Sequence, residues 1–477
     1  MNKNISERLI DSLGYVPTTD QQELIGRLSD FIGNYYSPNH RDDTLIIKGY
    51  AGTGKTSIVG ALVKSLPKIG FKSVLLAPTG RAAKVLSNYS GHPAYTIHKK
   101  IYRQKSSATG LGEFALDKNT HQRTIFIVDE ASMIANSSSE NSIFGTGHLL
   151  DDLFEYVYSG EMCKLILVGD TAQLPPVGLT VSPALDIKAI EETGFNATEF
   201  ELTQVVRQTE GSGILLNATN LRNEMSDNRT GYPQLTTKCH ADVRRISGSE
   251  LIEEIENCYD EFGIENTMIL CRSNKRANKY NEGIRRTILW REEEIAKGDQ
   301  LMIVKNNYFW LSDEEKGQTP FLANGDIAKI TRIGKYHELY GFRFADVDLE
   351  IVDYPGLEIN TKIMLDTLMS ESPSLTWEEN QKLFNLVLED YADIRTKRER
   401  IKKVKENPFF NALQVKFSYA ITCHKAQGGQ WKAVFIDQGW LADDMLDIEF
   451  RRWLYTAFTR PTERLYLVNF KDEFFEI

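Results

Sequence analysis

The string GYAGTGKT, Gly49 to Thr56, follows the apolar run TLIIK and precedes the helical pattern SIVGALVKSL. Strand, glycine loop and helix in that order make a phosphate cradle. The glycines let backbone N–H groups turn inward around phosphate oxygens, and the helix N-terminus adds favourable partial charge. Gly49, Ala51, Gly52, Thr53, Gly54 and Ser57 would line a nucleotide, Lys55 would reach its β- and γ-phosphates, and Thr56 would ligate magnesium. Downstream, TIFIVDE ends an apolar strand on two carboxylates: Asp129 can hold the metal's shell, and Glu130 can orient and deprotonate an attacking water. An acidic pair after a strand is common by itself. Behind a complete phosphate loop it points to nucleotide hydrolysis. In LVGDTAQLPPVG, Gln173 could hydrogen-bond a γ-phosphate that leaves on hydrolysis.

These residues need a parallel sheet to hold them. Short β-branched runs, each followed by a loop and a helix-like segment, recur at Thr44 to Lys48, Ser73 to Ala77, Thr124 to Asp129 and Lys164 to Asp170. A second set, Thr267 to Cys271, Ala433 to Asp437 and Arg464 to Phe470, predicts another α/β unit that closes near the C-terminus. Between them, Lys297 to Tyr354 alternates strands with turn signals such as Asn324-Gly325-Asp326 and predicts a small β-domain. From Trp377 to Lys405 the apolar positions Phe384, Val387, Tyr391, Ile394 and Ile401 follow helical spacing, predicting a long amphipathic helix broken at most once. The polar stretches Ala135 to Asn141 and Asn223 to Lys238 read as loops.

The 477 residues carry 56 Lys plus Arg against 66 Asp plus Glu, a net charge of −10, which excludes a globally basic nucleic-acid coat. Five widely spaced cysteines without a CxxC pair suggest neither a disulfide framework nor zinc, and fit a reducing, cytoplasmic setting. No apolar stretch approaches the roughly 18 residues of a membrane span.

The order of the segments carries a resemblance over nearly the whole length. Gln21 in TTDQQELIGRL, GYAGTGKT, APTGRAA (Ala77 to Ala83), TIHK (Thr96 to Lys99), VDEASM (Val128 to Met133), GDTAQLPPVG (Gly169 to Gly178), VVRQ (Val205 to Gln208) and ILCRSNKRANKYN (Ile269 to Asn281) come first. NGD (Asn324 to Asp326), YAITCHKAQG (Tyr419 to Gly428) and YTAFTRP (Tyr455 to Pro461) complete the series. Each string is weak alone, but the ordered set is specific. It resembles superfamily 1 helicases of the 5′-to-3′ class (superfamily 1B), the RecD-like, Dda-type enzymes.

That resemblance implies an α/β fold with two RecA-like motor domains, a small β-hairpin insertion and an SH3-like β-subdomain. Residues 1–195 would form the first motor domain, with a hairpin pin at about 99–124. Residues 196–296 and 412–477 would form the second, and 297–411 the inserted subdomain with its helical segment. It implies an ATP-dependent DNA helicase moving 5′-to-3′ on single-stranded DNA, using ATP and Mg2+, acting on forked duplex DNA as a monomer. Gln21 would read the adenine, Gln173 would sense the γ-phosphate, and Arg207 and Arg460 would be arginine fingers whose guanidinium forks stabilise charge on the transferred phosphoryl group. Val206 stands where many relatives carry an aromatic that stacks on the base, so base specificity is left open.

On the DNA side the resemblance points to Thr79, His98, Thr422 and His424, whose hydroxyls and imidazoles can bind phosphates without reading sequence. Phe114, just past the glycine turn of the hairpin, is the expected wedge; packing on a neighbouring domain is the alternative for such an aromatic. Cys423 and His424 lack a second ligand pair, which argues against a metal site. The run RTKRERIKKVK, Arg395 to Lys405, reads as a solvated helix face or as an arm against phosphates. Two alternatives stand beside the helicase: a nucleotide-switched translocase or protein-displacing remodeller that does not separate strands, and a small-molecule P-loop kinase. The second α/β unit and the two arginine motifs argue against the kinase.

Overall fold

The computed structural model describes residues 5–34, 43–104, 114–136, 145–205, 211–311, 321–352, 354 and 356–475. Two all-parallel sheets dominate it. The first has six strands in the order Ala94–Thr96, Lys72–Ala77, Gln122–Val128, Glu161–Gly169, Asp43–Gly49 and Asn196–Leu202. Its central strands are apolar almost throughout, because helices cover both faces and leave no side for solvent. The second has five: Ala420–Thr422, Thr267–Cys271, Trp431–Asp437, Pro461–Val468 and Val243–Ile246.

The stretch between Gln300 and Phe417 builds a closed five-stranded barrel from Gln300–Ile303, Ile327–Leu339, Phe342–Ile351, Glu358–Met364 and Leu413–Phe417. Leu301, Ala328, Val347, Leu349, Ile363 and Val415 share its core with one face of the second sheet. The helical excursion from the barrel is two helices, Trp377–Glu389 and Lys397–Glu406, separated by a turn. Thr376 opens the first with a capping box, and Thr396 caps the second. Their inner side packs Leu383, Val387 and Val404 against Phe342, Phe344 and Met364.

Several expected boundaries move. Asn196–Leu202 pairs in parallel with Asp43–Gly49, so the first sheet runs past 195: Phe200 and Leu202 are buried, and the strand needs a partner for its backbone groups. Leu413–Phe417 closes the barrel instead of starting the second motor sheet. The helix Gly213–Ser226 covers the first residues of the stretch read as a loop from Asn223, since Leu221 and Met225 bury one turn apart. Among the described residues, no helix is long and apolar enough to cross a membrane.

Candidate functional site

The strand Asp43–Gly49 runs into a loop whose Gly52 and Gly54 hold φ of +80° and +84°, and the helix Lys55–Ser65 begins directly afterwards. A side chain at Gly52 would meet Leu215 Cδ1 at 3.0 Å, so glycine is required for conformation and for space. Lys55 Nζ donates to the carbonyls of Gly49 (2.5 Å) and Tyr50 (2.9 Å), and Thr53 Oγ1 donates to Tyr50 O (2.8 Å). Thr56 and Ser57 occupy the first turn of that helix. The loop is thereby tied down by its own side chains.

Two strands away, Gln122–Val128 ends on Asp129 and Glu130. Glu130 lies in the left-handed region (φ 54°), which a non-glycine residue adopts at a cost. Asp129 Oδ1 accepts from Glu130 N–H at 2.9 Å. Burial, with the nearby Glu130 carboxylate, pushes the Asp129 carboxyl up to about 6. Two hard oxygen donors, the Thr56 hydroxyl and the Asp129 carboxylate, suit magnesium, which takes few protein ligands and completes its shell with water and phosphate.

The second sheet closes over this site. Tyr455, on the helix Ile448–Phe458, donates to Asp170 Oδ2 (2.7 Å) and accepts from the N–H of Ala51 in the phosphate loop (2.8 Å). Thr456 Oγ1 accepts from Leu174 N–H (2.9 Å), and Gln427 Nε2 donates to Leu174 O (2.7 Å). Arg222 stacks over Tyr50, its guanidinium carbon 4.6 Å from the ring centre. Arg460 is buried and lies 4.0 Å from Glu130 Oε1, held by the carbonyls of Thr456 and Gly429. Gln173 is buried as well, and its Oε1 has no hydrogen-bond partner among the described residues.

Comparison with known proteins follows from this geometry. The family model of an AAA domain matches residues 38–233, and that of a UvrD-like helicase C-terminal domain matches 417–468. The ATP-dependent RecD2 DNA helicase of Deinococcus radiodurans is 24% identical over 88% of this chain, which spans 46% of that protein. The ATP-dependent DNA helicase dda of Enterobacteria phage T4 is 24% identical over 82% of this chain and 86% of its own. A Bacteroides Pif1 helicase crystallised with ADP-AlF3 and ssDNA is 16% identical, with a TM-score of 0.47 over 97% of this chain and 95% of that one. The chain thus carries a match to an AAA domain and to a UvrD-like helicase C-terminal domain, and is similar in sequence to RecD2 and dda helicases.

The residues expected at the nucleotide fall into three groups. Lys55, Thr56, Asp129, Glu130, Gln173 and Arg460 stand on the two sides of one interdomain cleft. Arg207 lies outside the described residues. Gln21 is fully buried: its Nε2 donates to Thr53 O (3.2 Å) and Tyr15 Oη (3.3 Å), and its Oε1 accepts from Thr18 N–H. It braces the phosphate loop from behind through the Thr53 carbonyl.

The expected DNA residues also divide. Thr79 caps the helix Gly80–Ser90, its Oγ1 accepting from Ala82 N–H (3.2 Å) while its own O–H stays available. The turn at Gly428 (φ +73°) fits so closely there that a Cβ would stand 2.6 Å from Ala82 Cβ. His98 sits on the short helix Ile97–Ile101 beside Tyr102, and burial pushes its imidazole down to about 4, leaving it neutral at physiological pH. Thr422 makes no cap bond with its side chain, and His424 is exposed.

Phe114 is not a wedge. It is only 9% exposed and packs on Tyr308 of the barrel subdomain (ring centres 4.4 Å), which in turn packs on Phe321 (4.8 Å). It stands at the base of the hairpin, where Tyr102–Gln104 pairs with Phe114–Leu116 and the apolar side turns inward. The hairpin tip, 105–113, lies outside the described residues.

Sequence reasoning missed Tyr455 and Arg222. Tyr455 stood inside the quoted string YTAFTRP, but nothing in its local spacing set it apart from a core aromatic. No local signal marked Arg222, which matters only because its helix packs across the loop.

Proposed function

We propose that the chain is an ATP-driven DNA helicase in which two RecA-like domains close over ATP and open after hydrolysis. The observation that carries this is the split of one hydrolytic site over both sheets. The phosphate loop and acidic pair come from the first, while Arg460 and Tyr455 come from the second. Closure therefore depends on what fills the cleft, which is how hydrolysis becomes motion between two DNA-gripping faces. Such a split argues against a kinase built on one compact domain.

Thr56 and Asp129 would hold magnesium, whose charge would neutralise phosphate oxygens and offset the crowding of Asp129 against Glu130. Lys55 neutralises the phosphates, Glu130 takes the proton of the attacking water, and Arg460 stabilises the charge that develops on the transferred group. The RecD2 and dda relatives are named as ATP-dependent DNA helicases, which supports DNA as the track.

Strand-separation assays on 5′-tailed, 3′-tailed and RNA-containing duplexes, with ATPase measured alongside, test the proposal. Single-stranded DNA should raise turnover steeply, unwinding should need a 5′ tail, and Lys55→Ala should abolish both. Turnover indifferent to nucleic acid refutes the motor; exclusive use of 3′ tails refutes the direction. Turnover without strand separation leaves a translocase.

A further inference from the structure

The helix Gly213–Ser226 lies along the phosphate loop and meets it at two points. Its Ala218 and Leu221 bury in the core of the second sheet beside Phe450 and Leu454, so the helix moves with the second domain. Leu215 stands over Gly52, where a Cβ would come within 3.0 Å of its Cδ1. Arg222, two turns further along the same face, lies over the ring of Tyr50, its guanidinium carbon 4.6 Å from the centre. Arg222 makes no ion pair among the described residues. Its other partners are the Thr203 carbonyl (3.4 Å) and the Asn223 amide oxygen (3.2 Å).

Tyr50 is held at both ends. Its carbonyl accepts from Thr53 Oγ1 (2.8 Å), Lys55 Nζ (2.9 Å) and Thr53 N–H (3.3 Å), while its hydroxyl donates to the Glu201 carboxylate. Lys55 spends a second donor on the Gly49 carbonyl. An ammonium has three donors and bridging a β- and a γ-phosphate takes two, so a bound nucleotide makes Lys55 release at least one of these carbonyls. The change falls on the short stretch whose ring touches the second domain. From there the path is rigid: Glu224 of the same helix accepts from the buried Arg451 at 3.2 Å, and Arg451 stands one turn before Tyr455 on the helix Ile448–Phe458.

We propose that the stack of Arg222 on Tyr50 is the contact that passes nucleotide occupancy of the phosphate loop to the second domain, with Arg222 as a positioning residue. The role rests on the helicase reading and adds to it the groups through which coupling runs. A guanidinium over an aromatic face is attracted without a fixed hydrogen-bond direction, so the contact survives small shifts of the loop and carries them across the cleft. Linkage makes the effect reciprocal: the factor that nucleotide places on DNA affinity is the factor that DNA places on nucleotide affinity.

The test is a linkage square on the full chain: affinity for an oligothymidylate of about twelve nucleotides with and without a nonhydrolysable ATP analogue, and the converse. In the wild type each ligand should change the other's affinity about tenfold. Arg222→Met, which keeps the apolar stem, should cut that factor about threefold in both directions. Tyr50→Leu should do the same, and the double variant should lose no more than either single one. Tyr50→Phe keeps the ring and should keep the factor. A merely structural role would lower stability or both affinities and leave their ratio alone. If Tyr50→Leu fails to fold, Arg222→Met and Tyr50→Phe still decide. An unchanged factor in Arg222→Met, losses that add in the double variant, or a factor lost in Tyr50→Phe overturns the assignment while leaving the helicase reading intact. A wild-type chain whose two affinities ignore each other sinks both.

Discussion

The two parallel sheets present their strand ends in opposite chemical styles. At the first, a lysine and a threonine accompany two adjacent carboxylates, and burial, with its neighbour's charge, pushes one of those carboxyls up. At the second, Thr422, Lys416 and Lys425 line a cleft that no carboxylate enters. Only the first carries the acids that a metal-bridged nucleotide and its attacking water require. A strand that must be gripped and released needs cations alone. The two halves of the molecule have the same topology, and the charge complement at the strand ends separates engine from track.

The sharpest way to break this contrast is to remove the acid that makes the first site an engine. Glu130→Gln should lower ATP turnover about a hundredfold or more while nucleotide and DNA binding persist; a variant that still turns over near the wild-type rate means another group is the base. The pin contact comes next. Phe114→Ala should cost about 3 kcal/mol in thermal or denaturant unfolding, and should lower unwinding more than DNA-stimulated ATPase, because the hairpin loses its seat on Tyr308. Equal losses in both assays would make Phe114 a packing residue only.

Tyr455→Phe tests whether the domains communicate through the phosphate loop. It strips a hydrogen bond from both Ala51 N–H and Asp170, and should cost about 1–3 kcal/mol of stability, with weaker ATP binding seen in titrations against a nonhydrolysable analogue. Unchanged ATP affinity would show that closure does not run through this hydroxyl. The smallest effect is expected at the basic helix Lys397–Glu406. Lys402 and Lys403 already face Glu406, and the helix is well exposed. Neutralising Lys397, Arg398, Lys402 and Lys403 together should weaken single-strand affinity modestly and flatten its salt dependence; an unchanged slope makes the helix a solvated face.

The opening observation about charge changes its meaning here. A net charge of −10 excludes indiscriminate coating, yet it coexists with a cleft whose ionisable lining is two lysines. Local complement, and not the sum, decides what a face can bind.

Local order explains which features were legible. GYAGTGKT, VDE and the short apolar strands reveal themselves because the residues that act are neighbours in the chain, and a loop between strand and helix has few ways to fold. The barrel was visible in outline through its turn signals, but not its closure: Leu413–Phe417 is separated from Glu358–Met364 by the helical excursion, and pairing across such a distance leaves no local mark. Phe114 misled for a related reason, and the inward hydrogen bonds of Gln21 were equally invisible. An aromatic beside a turn and a glutamine in a helix's first turn have the right types for a wedge and a base reader. Whether such a side chain faces solvent or packs inward depends on the residues brought opposite, here Tyr308 for one and Thr53 for the other. Hydrolytic chemistry was thus written in contiguous motifs. The closing tyrosine, the buried brace and the acid-free cleft arose only when distant segments met, because burial and charge pairing are properties of neighbours in space.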